Sequence, residues 1–146
     1  MKAFALSSRR LLPLSGLLAL GIVAVGCGGP AEYGLVGSAR AAGTDGTVQV
    51  EEIEGGNQMV TLTLDHLPPP ARLADGMTTY VVWLTQRGQQ PTKAGALDYD
   101  EDARTGHMIA TTPLTRFTLR ITAEENRDVA APSDLVVAER VVGGEN

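Results

Sequence analysis

From residue 47 onward, apolar and polar positions alternate with a period of two, the mark of strands that bury one face. Thr47–Glu51 puts Val48 and Val50 on one side. Met59–Asp65 sets Val60, Leu62 and Leu64 against Thr61, Thr63 and Asp65. Thr78–Thr85 is apolar on both faces through Tyr80-Val81-Val82-Trp83-Leu84, which predicts a central strand with Trp83 at the middle of the core. Ala94–Tyr99, Gly106–Thr111, Arg116–Ala123 and Asp134–Val142 complete the series, and Gly55-Gly56-Asn57 reads as a turn. No stretch after residue 26 carries a 3.6-residue apolar stripe. The expected fold is therefore all-β: a single immunoglobulin-like β-sandwich of seven to eight short antiparallel strands, or else a small barrel. Pro68-Pro69-Pro70 cannot donate to a ladder and reads as a crossing between the two sheets.

The first 26 residues follow a different rule. Lys2, Arg9 and Arg10 precede Leu11–Gly26, an uncharged and mostly apolar stretch shorter than the ~20 residues a membrane span needs. A basic start and a short apolar run predict a signal helix, and Arg9-Arg10 is similar to a twin-arginine export signal. Ala24-Val25-Gly26-Cys27 resembles the bacterial lipobox, although the family prefers Leu at the position of Ala24. The resemblance implies cleavage before Cys27 and acylation of its sulfur, giving a membrane lipid as partner. The expected organisation is a signal peptide at 1–26, a lipidated cysteine with a flexible tether or first strand at 27–44, a sandwich at 45–142 and a tail at 143–146. Gly28–Gly34 is read as tether, with nothing apolar enough to pack.

Charge narrows the partners. The chain has 12 basic and 17 acidic residues, and removal of 1–26 takes three basic and no acidic ones, leaving a net charge of −8. Such a chain offers no basic face to nucleic acid and should repel anionic headgroups. One cysteine excludes a disulfide framework.

Tyr80-Val81-Val82-Trp83-Leu84, Gly95 and Leu97, Phe117–Glu124 and Pro132-Ser133 form an ordered series. It resembles the extracytoplasmic C-terminal domain of anti-sigma-K-type factors over about residues 78–138. The resemblance implies the sandwich fold and a location outside the cytosol. It implies no functional residue, and the chain is read as lacking that family's sigma-binding and membrane-spanning parts.

Chemistry-bearing residues are few. Asp98, Asp100 and Asp102 echo the start of a calcium loop, but Ala103 stands where the loop needs Gly and Ile109 where it needs Glu. The cluster reads as a solvated hairpin tip, with Gly106 making the turn. His66 and His107 lack the spacing of a zinc or copper set. Ser133, His107 and Asp134 sit in no nucleophile motif. The expectation is a lipid-anchored, non-enzymatic envelope protein with a binding or structural domain, an envelope protein partner, no nucleic acid and no cofactor. The rival is a small periplasmic metal-binding (calcium, or zinc or copper) or enzymatic β-barrel using His66, His107 and the 98–102 cluster.

Overall fold

The computed structural model describes residues 29–143. The signal stretch and Cys27 lie outside the described residues. Nine strands form two antiparallel sheets: β1 (Ala31–Val36), β2 (Asp45–Glu52), β3 (Gln58–Asp65), β4 (Thr79–Thr85), β5 (Thr92–Ala96), β6 (Asp98–Asp100), β7 (Thr105–Thr112), β8 (Phe117–Glu124) and β9 (Val136–Val142). The first sheet runs β1-β2-β3-β7-β6 and the second β5-β4-β8-β9. Setting β1 aside, this is the A-B-E-D and C′-C-F-G order of an immunoglobulin-like sandwich. Among the described residues no helix is long and apolar enough to cross a membrane.

The alternating residues fill the space between the sheets as their period dictates. Val48, Val60, Leu62 and Leu64 of the first sheet meet Tyr80, Val82, Leu84, Leu119 and Ile121 of the second. The Pro68-Pro69-Pro70 segment carries the chain from β3 across to β4, with a 3₁₀ turn at Pro70–Arg72.

Three local expectations are corrected. The stretch read as tether is strand from Ala31 onward: Tyr33 and Leu35 pack inward, and β1 pairs in full with β2. Ala94–Tyr99 is not one strand. The chain changes sheets at Leu97, whose N–H donates to Tyr80 O (2.9 Å) while its side chain is buried, so β5 and β6 belong to opposite layers. Trp83 is buried but lies outside the inter-sheet core. It points to the outer face of the second sheet, in register with Lys93 and Arg120.

That outer face is closed by residues 125–135. Lys93 Nζ donates to Arg127 O (3.0 Å) and Val129 O (3.1 Å). Trp83 Nε1 donates to Thr122 Oγ1 (2.8 Å), the Thr122 hydroxyl donates to Glu124 Oε1, and the Ser133 N–H donates to the same oxygen (2.8 Å). The last four residues of β8 are consequently buried on both faces despite their alternating polarity.

Candidate functional site

The acidic segment forms a hairpin tip between β6 and β7. Asp100 Oδ1 accepts from the Ala103 N–H (2.9 Å) three residues on, and Arg104 takes the left-handed conformation (φ 58°) that closes the tip. Gly106, expected to make the turn, is instead a buried strand residue. A Cβ there would lie 3.1 Å from Leu97 and 3.2 Å from Leu67, so its role is close packing. Asp98 and His107 are direct cross-strand neighbours. With Asp100, Glu101 and Asp102 they line an open acidic concavity of about 680 Å³.

His66 does not join this group. It follows β3 with φ 57°, and its Nδ1 lies 2.7 Å from Asp45 Oδ1, both side chains exposed at the end of the β2–β3 pair. Among the described residues no three His, Cys, Asp or Glu side chains converge as a metal-holding group. Ser133 and His107 stand on opposite layers, and Ser133 Oγ donates to Ala123 O (2.8 Å) while accepting from the Leu135 N–H (3.2 Å), a capping role.

A tyrosine pair supports the hairpin from beneath. The Tyr80 and Tyr99 rings meet edge to face at 5.4 Å and 80°. Tyr80 Oη donates to Pro68 O and Tyr99 Oη to Leu67 O (3.0 Å). Arg104 adds Nη2 to His66 O (3.2 Å), and its carbonyl accepts from the Leu67 N–H (2.9 Å). No residue pattern marks this lock, because its acceptors are backbone carbonyls.

Burial, with Tyr99 beside it and Arg104 only partly opposing, pushes the Tyr80 phenol well above its ordinary value near 10. The folded state therefore keeps a proton that the unfolded chain releases above about pH 10, so stability holds below that pH and falls as pH rises past it. Thermal melts should be flat from neutrality to about pH 9.5 and then decline, with a limiting slope for one proton of about 1.4 kcal/mol per pH unit. Tyr80→Phe should flatten the decline. An unchanged slope in that variant would assign the alkaline transition elsewhere.

A second concavity lies at the opposite end of the sandwich, with a volume of about 900 Å³. Arg87 from the β4–β5 turn and Arg116 from the β7–β8 connection line it, above the in-register row Thr85, Thr118 and Val141. Arg116 Nε donates to Gly143 O (3.0 Å), which holds the guanidinium at the groove. Nothing local in the sequence marks these arginines, since 28 residues lie between them and only the pairing of β4 with β8 unites them.

Comparison of the chain with known protein families, with curated proteins and with solved structures found no match.

Proposed function

We propose that the protein is a lipid-anchored component of a bacterial envelope, presenting a non-enzymatic, immunoglobulin-like domain to an envelope protein partner. One observation carries the reading: the only cysteine of the chain closes a basic-then-apolar leader and precedes the first strand, at Ala31, by four positions. A thiol at that place is suited to take up diacylglycerol. Two or three acyl chains, at about 0.8 kcal/mol per buried methylene, make a stable anchor where one does not. Tethering would work by confinement, raising the effective concentration of the domain around other anchored proteins. The resemblance to anti-sigma-K-type domains supports the extracytoplasmic side, and its residues fall in the second sheet and the segment that closes it.

Acylation of Cys27 makes a direct prediction. The wild-type protein should partition with membranes and carry acyl mass on an N-terminal cysteine, and Cys27→Ser should move nearly all of it out of the acylated membrane pool. Native protein that retains Met1 and an unmodified Cys27 would remove the proposal.

A further inference from the structure

We infer that the basic groove at the anchor end of the second sheet docks on anionic phospholipid headgroups, turning the acidic first sheet away from the membrane. This inference rests on the acylation of Cys27 proposed above. Three observations carry it.

Charge is divided between the layers. Residues 31–65 and 98–112, which build the first sheet, hold ten carboxylates and two arginines. Residues 79–96, 113–124 and 136–143, which build the second, hold two carboxylates against four arginines and one lysine, and the 125–135 segment over its outer face adds Glu125, Asp128 and Asp134 against Arg127. One of the sheet's own two carboxylates, Glu124, is buried, and the other, Glu139, accepts from Arg120 Nε (2.6 Å). The overall net charge therefore misstates what a surface close to the second sheet would meet. Asp98, Asp100, Glu101 and Asp102 stand at the far end of the sandwich, whereas Glu51, Glu52 and Glu54 of the β2–β3 turn share the groove's end but belong to the other layer, ~10 Å away and so beyond the ~8 Å Debye length at physiological salt.

The groove itself matches the chemistry of a headgroup layer. Arg87 and Arg116 offer planar guanidinium donors suited to phosphate. Val141, 57% exposed, adds an apolar side chain beside them. Among the described residues no carboxylate lines the groove.

The chain also leaves the domain at this place. Gly143 lines the groove, and its N–H donates to Tyr33 Oη (3.1 Å), two residues into β1. Cys27 precedes Ala31 by four residues, which span at most ~14 Å when extended. An acylated Cys27 thus holds this end of the sandwich near the headgroups, and the two arginines face the phosphates there.

The test uses the acylated full-length protein in vesicles of phosphatidylcholine, with or without about one-third phosphatidylglycerol. With Cys27 occupied by lipid, V141C and, as a control on the first sheet, T63C each give one labelling position for a fluorophore quenched by a lipid-borne group. Quenching at position 141 should strengthen with phosphatidylglycerol and that at position 63 should not. R87E/R116E should weaken the response by roughly tenfold or more, as should high salt. Equal quenching in the two vesicle types, or an undiminished response in R87E/R116E, overturns docking. Abolition of the response by millimolar inorganic phosphate at constant ionic strength would assign the groove to free phosphate and overturn it as well. Flotation with pure phosphatidylcholine vesicles reads the anchor separately: protein that fails to float has lost the anchor and this inference with it, whereas protein that floats without the phosphatidylglycerol response has lost only the docking.

Discussion

Replacing Trp83 with alanine is expected to lower the unfolding free energy by about 4 kcal/mol and the melting temperature by roughly 15 °C. The indole is 1% exposed, so its removal leaves a cavity that the stiff second sheet cannot collapse around. It also removes the donor at the head of a buried chain, Trp83 to Thr122 to Glu124, whose last carboxylate oxygen holds the Ser133 N–H. Set against a total stability on the order of 10 kcal/mol for a domain of this size, the loss is large. Trp83→Phe separates the two contributions. It keeps most of the apolar volume and deletes only the N–H, so about half of the alanine effect should remain. Urea denaturation followed by circular dichroism measures both variants. A loss under about 1 kcal/mol for Trp83→Ala would mean that residues 125–135 do not hold the indole in a packed core.

The second large effect is expected at a glycine. Gly46 stands in β2 opposite Leu64 of β3, in ordinary extended backbone. A Cβ at this position would run into Thr63 O and lie 2.9 Å from Leu64 Cδ2. The obstacle is backbone held in the β2–β3 ladder and cannot rotate away. Gly46→Val should cost about 3 kcal/mol or more, read as a lowered urea midpoint. Gly34 supplies the contrast one strand over, since a Cβ there meets nothing within 4 Å. Gly34→Thr should be neutral or slightly stabilising, because an exposed strand position gains from losing the glycine's backbone freedom. Equal destabilisation in both variants would refute the steric account.

The period-two pattern identified the fold because burial obeys it wherever one face of a strand meets the other sheet. Val60, Leu62 and Leu64 behave in that way. It misled where a third layer intervenes. Trp83 belongs to a run apolar on both faces, and period alone cannot tell which face the second sheet's partner covers and which the 125–135 segment covers. The change of sheets at Leu97 was hidden for a related reason, since an apolar residue within a strand and one filling the gap at a crossing look alike in sequence. β1 was obscured by Gly34 and the glycines before it, although Tyr33 and Leu35 already carried the correct alternation. Of the candidate site residues, Asp98 and His107 are brought together by β6–β7 pairing, while His66 is drawn off to Asp45. The arginine groove depends on register between strands distant in the chain, which no local pattern encodes.

The two lateral borders of the sandwich are not equivalent. Past the end of β1, Gly37 bridges to Ala138, and Ser38 donates its N–H to Val137 O (2.7 Å) and its hydroxyl to Val136 O (2.7 Å). Backbone bonds thus hem the layers together along the β1–β9 border. At the opposite border β6 is only three residues long and β5 is interrupted by a bulge against β4. Since Leu97 and the Tyr80–Tyr99 pair also join the layers at that border, breathing motions should begin as fraying of the short β5 and β6 strands rather than as parting of the sheets. Were the protein held on a surface from the start of β1, the strands that fray first would be those leading into the acidic hairpin at the far end.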